Sequence, residues 1–286
     1  MSEQPRDVEQ LVTPTPVIEG AGVRLRRVFP GQALDYPDPF LLLDHFGSDN
    51  PSDYLAGFPM HPHRGIETVT YMLEGAVRHT DSMGNSGVIE AGDFQWMTAG
   101  RAILHEEMPE PREGLMEGFQ LWVNLPAKLK MMAPRYQELA AEMIPVVHRG
   151  SDAAVRVVAG TCDSVTGPIT DIAVQPTYLD VTLAPGGRFE QPIPRGHTVM
   201  AYAFRGAGSA GGSDGAARGL VAPKLALFGD GDSVALTAGP DGMRFLLVSG
   251  LPLHEPIVRY GPFVMNTREE ILQTLAELRD GTFLGK

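Results

Sequence analysis

A single cysteine, Cys162, in a chain of 286 residues excludes an internal disulfide, and the thiol is expected to be buried or incidental. No run of about 18 apolar residues occurs, so no membrane-spanning helix is expected. The amino-terminal stretch MSEQPRDVEQLV lacks a basic segment followed by an apolar run, and no secretory signal is read there. Basic charge is also scarce. The 23 Lys and Arg against 35 Asp and Glu leave a net charge of −12, which would repel phosphate backbones over most of the surface. These absences together point to a soluble, cytoplasmic protein of a reducing compartment with neither a nucleic acid nor a membrane as partner.

What the chain has in quantity is turn chemistry. Its 33 glycines and 24 prolines recur between short runs rich in Val, Thr, Tyr, Phe and Leu, a pattern of many short strands. Alternation at Val23, Leu25 and Val28 suggests strands, and Phe40 to Leu43 reads as a core strand. From Ile66 to Met108, turn signals separate one short strand from the next, and hairpins at this density are expected to close into a barrel. After Pro126 the composition shifts: AKLKMM and RYQELAAEM look like short helical pieces interrupted by Pro134, and residues 126–145 are a candidate linker. The second half then echoes the first. GD at 92–93 precedes TAG at 98–100, as GD at 231–232 precedes TAG at 237–239, and TVTYMLEGAV at 68–77 resembles TVMAYAFRGAG at 198–208. A glycine-rich hairpin insertion at 208–219 accounts for the longer gap in the second copy. The expected fold is therefore all-β, two tandem antiparallel barrels over residues 1–130 and 131–286, with a carboxy-terminal helix. In that helix Asn266 would cap, Glu269 would sit at N3, and Ile271, Leu272, Leu275 and Leu278 would pack.

The stretch from Phe58 to Pro109 holds four of the eight histidines. His61 and His63 are spaced i, i+2, as are His105 and Glu107, and in a strand such pairs project from one face. Two such strands would build a pocket of three imidazoles and a carboxylate, suited to a divalent first-row metal and unsuited to magnesium or calcium. The carboxylate could be Glu107, or Glu67 if its strand is regular. Glu106 points the other way. A 2+ ion with one carboxylate keeps about one positive charge for a deprotonated hydroxyl. In the second copy, Arg244 and Leu246 stand where His105 and Glu107 would be, and Pro192 and Pro194 oppose His61 and His63. Scaffold residues would be expected to recur, so the metal site is assigned to the first copy alone. His45 beside Asp44 is read as structural or supporting, His79 as turn-flanking and solvent-exposed, and His197 as structural or on the surface. Phe46, Phe94 and Trp96 are candidate aromatic walls of the pocket.

The motifs HPHRGIETVTYMLEG and AGDFQWMTAGRAILHEEMP closely resemble the pirin family of the cupin superfamily, and the resemblance runs on through RYGPFVMNTREEI near the end. It implies a bicupin, two double-stranded β-helix barrels with one metal in the amino-terminal barrel. The implied ligands are His61, His63, His105 and Glu107. The implied metal is Fe(II) foremost, with Mn, Ni, Cu or Zn as alternatives. Some pirins act as quercetin 2,3-dioxygenases, which open a flavonol ring with dioxygen; there the metal would take the flavonol 3-hydroxyl and Glu107 would accept its proton as general base. Other members look like non-catalytic, iron-binding regulatory or redox-sensing modules with a protein partner. Ala102 replaces a glycine common in pirins, which would narrow the pocket.

Overall fold

The alternating segments form antiparallel sheets throughout the computed structural model, which describes residues 4–112, 114–211 and 217–285. Residues 212–216 of the expected hairpin insertion lie outside the described residues, while the flanking strands Thr198–Ala210 and Arg218–Val221 pair with each other. The chain divides into two compact units, each assembled from separate stretches. One comprises Thr15–Gly31, Phe40–Ala141 and Leu253–Lys286; the other comprises Met1–Pro14, Gln32–Pro39 and Glu142–Pro252.

The first of these units carries the histidine pairs on two sheets. Its seven-stranded sheet runs in the spatial order Arg135–Leu139, Phe94–Thr98, Ile66–Glu74, Met116–Asn124, Phe40–Ser48, Val23–Phe29, Thr15–Glu19. Its four-stranded sheet runs Phe58–His63, Ile103–Pro109, Ala76–Asp81, Ser86–Glu90. Neither sheet closes on itself, which corrects the barrel expected from the sequence. Hairpin density dictates that neighbouring strands pair; it does not dictate that the first and last strands meet. Proline is one reason that they do not. Pro59 and Pro62 lie in the edge strand Phe58–His63 and Pro16 in the edge strand Thr15–Glu19, and each removes an N–H that a further strand would need.

The second unit is likewise open. Its main sheet has nine strands, with Val8–Val12 and Val146–Arg149 at its ends. The TAG at 237–239 does not end a strand there. It lies inside the long strand Ser233–Gly250, which pairs first with Arg188–Pro192 and then with Thr177–Leu183. The interior is closed by apolar packing that includes Val155, Leu179, Phe189, Phe245 and Leu247. Of the second-copy positions that correspond to the first-copy donors, Leu246 is buried and Arg244 is held by Asp180 through hydrogen bonds of 3.0 and 2.6 Å. Cys162 is buried as expected, with its thiol pushed up by burial.

The helical expectations need adjustment. Ala127–Leu129 and Ala141–Met143 are single 3-10 turns, but Arg135–Leu139 is an edge strand against Phe94–Thr98. Pairing to an existing sheet overrides the helical propensity of RYQEL. The terminal helix is Arg268–Arg279, and its cap lies one residue later than expected: Thr267 Oγ1 accepts from Glu270 N at 3.2 Å and Glu270 Oε2 accepts from Thr267 N at 2.9 Å. Ile271 and Thr274 face inward, whereas Leu272 and Leu278 of the expected stripe are exposed. No helix among the described residues is long and apolar enough to cross a membrane.

Candidate metal centre

Strand register brings the two histidine pairs together. In the antiparallel pairing of Phe58–His63 with Ile103–Pro109, His105 lies directly opposite His61 and Ile103 opposite His63, with a bulge between His105 and Glu107. Opposed residues share a sheet face. The nitrogens that His61, His63 and His105 can offer all lie within 4.8 Å of one another, and this is the one group of three or more potential metal ligands among the described residues.

The protons on these rings can be traced. His61 Nδ1 is 2.9 Å from the Pro59 carbonyl and His63 Nδ1 is 3.3 Å from the Pro262 carbonyl, so each donates there and leaves Nε2 bare. The two Nε2 atoms then face each other at 3.1 Å, two lone pairs that repel unless a cation lies between them. His105 Nε2 is buried and has no hydrogen-bond partner among the described residues. Burial holds the His63 pKa down to about 3, with His61 adding to the depression, and burial followed by the neighbouring histidines holds His105 well below the usual range. Both rings are therefore neutral and ready to ligate at pH 7. Two nitrogens 3.1 Å apart subtend about 95° at a point roughly 2.1 Å from each, close to the angle between adjacent ligands of an octahedral ion. The donor set fits a divalent transition metal.

Glu107 is buried on the same strand face, but its carboxylate is not within the cluster of three nitrogens. Thr70 Oγ1 lies 2.8 Å from both Glu107 Oε1 and Gln120 Oε1, and its single proton can satisfy one of them. Glu67, the other candidate, is elsewhere. Gly65, at φ +81°, turns the chain out of the four-stranded sheet, so the strand from His61 to Glu67 is not regular, and Glu67 accepts from Thr98 Oγ1 at 2.7 Å in the other sheet. Burial raises its pKa.

His61, His63 and Glu107 lie in the wall of a cavity of about 520 Å³ between the two sheets of this unit. Most of the wall is apolar, contributed by Leu25, Leu42, Phe46, Phe58, Val77 and Met116. Of the expected aromatic walls, only Phe46 is there; Phe94 and Trp96 are core residues and do not line the cavity. Sequence reading missed Phe58 and Trp122. The latter packs edge-on to His63 at 5.1 Å, beneath the Arg259 guanidinium at 4.8 Å. Ala102 does not narrow the cavity, because it packs with Phe263, Met265 and Ile271. At the polar side Arg27 grips Asp44 through hydrogen bonds of 2.9 and 2.7 Å and reaches Glu19 at 2.7 Å.

Buried cations brace the ligand strand from behind. Arg64, next to His63, donates to the Arg101 carbonyl, to Thr274 Oγ1 at 3.0 Å and to the Phe283 carbonyl at 3.3 Å, and pairs with Glu277 at 2.7 Å. Lys130 Nζ donates to the Gly65 and Val264 carbonyls at 2.8 and 3.0 Å and to Asn124 Oδ1 at 2.6 Å. Gly65 cannot be anything else, since a Cβ there would stand 2.0 Å from the Val264 carbonyl oxygen. His45 is structural: it lies in the seven-stranded sheet, outside the cavity wall, with Nε2 2.8 Å from Glu117 Oε1. His79 corrects its expectation: it is buried, not solvent-exposed, with Nδ1 3.5 Å from His105 Nδ1 and Nε2 3.0 Å from the Tyr136 hydroxyl. Its signal was present in the sequence, because His79 and Asp81 form a third i, i+2 pair on the strand beside His105.

Known proteins share this architecture. The family described as Pirin matches residues 22–123, and that described as Pirin C-terminal cupin domain matches residues 178–284. A pirin-like protein of Caulobacter vibrioides is 46% identical over 280 residues, covering 97% of this chain and 99% of that protein. Human pirin is 44% identical over 268 residues, covering 92% of this chain and 88% of that protein. The crystal structure of a quercetin 2,3-dioxygenase from Acinetobacter baumannii superposes with a TM-score of 0.89 at 34% identity, over 98% of this chain and 99% of that one. With both family domains matched in order and relatives similar over nearly its whole length, the chain belongs to the pirin family.

Proposed function

We propose that this chain is a metal-dependent dioxygenase that opens a flavonol ring with dioxygen, an oxidoreductase of the quercetin 2,3-dioxygenase type. Its mononuclear site would be formed by His61, His63, His105 and Glu107, and confined to the stretch 1–130. The observation that carries the reading is the convergence of three imidazoles, those of His63 and His105 buried and that of His61 partly so, beside a largely apolar cavity of about 520 Å³, large enough to take a planar aromatic substrate. The name carried by the similar Acinetobacter structure agrees with it.

The three imidazoles and Glu107 would hold the ion, Fe(II) foremost with Mn, Ni, Cu or Zn as alternatives, which when bound supplies Lewis acidity toward a substrate hydroxyl and reactivity toward dioxygen. The remaining work falls to the chain. Phe46, Phe58, Leu25 and Met116 provide apolar walls that exclude water from the ring system. Glu107 accepts the hydroxyl proton, its carboxylate positioned with Oε1 2.8 Å from Thr70 Oγ1. Arg259, over Trp122 at the cavity wall, pairs with no carboxylate among the described residues and favours the anionic form of the substrate.

The test is loss of the quercetin absorbance band under aerobic conditions by protein reconstituted with Fe(II). Turnover abolished by His61→Ala and reduced by Glu107→Gln is the expected result. Metal-replete protein with no turnover would sink the enzymatic reading and favour a non-catalytic, partner-binding role.

A further inference from the structure

We propose that Asp81, Tyr136 and His79 form a directional hydrogen-bonded chain that fixes His105 as its Nδ1–H tautomer and so aims its Nε2 lone pair at the point it shares with His61 and His63. The inference rests on the reading of these three histidines as metal ligands and assigns positioning residues behind the one ligand that has no backbone carbonyl holding it.

The direction of the chain follows from its anionic end. The Asp81 carboxylate is fixed at the end of the strand Ala76–Asp81. Its Oδ1 accepts from Met83 N at 2.8 Å and Asn85 N at 2.9 Å, and its Oδ2 accepts from Asn85 Nδ2 at 2.8 Å. A carboxylate in that setting only accepts, so the Tyr136 hydroxyl, which also bonds to it, spends its proton there. The hydroxyl oxygen is then left as an acceptor for His79 Nε2–H at 3.0 Å. With Nε2–H given to the Tyr136 oxygen, Nδ1 is the His79 atom left to accept, and it is this atom that lies 3.5 Å from His105 Nδ1. His105 therefore carries its proton on Nδ1, and its Nε2, buried without a partner among the described residues, is free to ligate.

The strands make the arrangement cheap to hold. His79 lies opposite Glu107 and Asp81 opposite His105 in the register of Ala76–Asp81 with Ile103–Pro109, so both share the face of the ligands. Tyr136 comes from the neighbouring sheet, on the strand Arg135–Leu139, and packs edge-on against His79 with ring centroids 5.3 Å apart. His61 and His63 obtain the same service from the Pro59 and Pro262 carbonyls. Partners that orient metal-bound histidines typically change metal affinity by about 10- to 100-fold when removed.

Two readouts test the inference without recourse to turnover. Nitrogen–proton correlation NMR of the metal-free protein reports the tautomer of each histidine, and competition with a chromophoric chelator reports the affinity for Co(II). The wild-type protein should show His105 as Nδ1–H. Tyr136→Phe, which keeps the ring and its packing, should mix the two His105 tautomers and weaken Co(II) binding about 10-fold. His79→Leu should weaken it toward about 100-fold, and His79→Gln, whose amide can accept from His105 and donate to Tyr136, should recover most of the loss. Wild-type His105 found as Nε2–H, or unchanged tautomer and affinity in both Tyr136→Phe and His79→Leu, would overturn the inference. A wild-type protein with the expected tautomer that takes up no Co(II) would instead overturn the metal reading and leave the tautomer lock standing.

Discussion

Replacing Arg64 by methionine should destabilise the histidine-bearing unit by about 4 kcal/mol, within the 3–5 kcal/mol typical of breaking a buried charge interaction. The guanidinium is almost fully buried, with only 4% of its side chain exposed. Methionine preserves much of the aliphatic stem but leaves the Arg101 and Phe283 carbonyls and the Thr274 hydroxyl without their donor. Each hydrogen bond to a charged donor is worth about 1.5–3 kcal/mol, and part of that returns as the segment relaxes. The contact of the guanidinium with the Phe283 ring, 4.6 Å to its centroid, is lost as well. Glu277, the carboxylate partner, is 25% exposed, so Glu277→Gln should cost less than about 1 kcal/mol. The assay is urea unfolding of both variants, read as a shift in midpoint at unchanged slope. Because Arg64 adjoins His63, the same variant should also bind metal more weakly. Equal costs for the two substitutions, or a cost below about 1 kcal/mol for Arg64→Met, would refute the claim that carbonyl hydrogen bonds latch this strand.

Three further outcomes are expected. The His63 pKa is lowered from 6.5 to about 3, so the unfolded chain binds this proton first as pH falls. Stability of the metal-free protein is therefore present above pH 6.5 and is lost at about 1.4 kcal/mol per unit below it; denaturant titrations should show wild type losing about 2 kcal/mol more than His63→Gln between pH 6.5 and 5, and equal losses would refute the assignment. Gly65→Ala should cost at least about 3 kcal/mol, because a positive φ is strained for alanine and the new Cβ meets a carbonyl oxygen; an unshifted melting temperature with full metal content would show that the turn can relax. Arg259→Gln should raise KM for a flavonol about 10-fold with kcat little changed, the effect of one lost charge-assisted contact, and steady-state kinetics showing a fall in kcat alone would contradict that role.

The histidine pairs were legible because strand geometry has a period of two and metal ligation needs convergent donors. Their meeting was not. The pairing of His105 opposite His61 is a matter of register between strands some forty residues apart, and a bulge at Glu106 alters it locally. The same rule of spacing applied to His79 and Asp81 would have revealed the supporting pair, but the nearby turn residues suggested a solvent-exposed position at the end of the strand. Barrel closure was over-read for a physical reason: alternation and turns specify local pairing, while closure depends on what the edge strands can accept, and Pro59 and Pro62 limit one of those edges. One edge strand, Arg135–Leu139, was also misread as helical, because there propensity and pairing conflict. Nothing in local sequence could show that Leu253–Lys286 joins the unit that holds the histidines, because the signal is a set of distant contacts such as Arg64 with Glu277.

The central claim, that His61, His63 and His105 hold a catalytic ion, is tested most directly by elemental analysis of protein purified without added metal or chelator, followed by an aerobic flavonol assay of the same sample. About one equivalent of a first-row transition metal per wild-type chain is expected, with loss of both metal and turnover in folded His105→Ala. Wild-type protein without stoichiometric metal, or His105→Ala that retains it, would contradict the account.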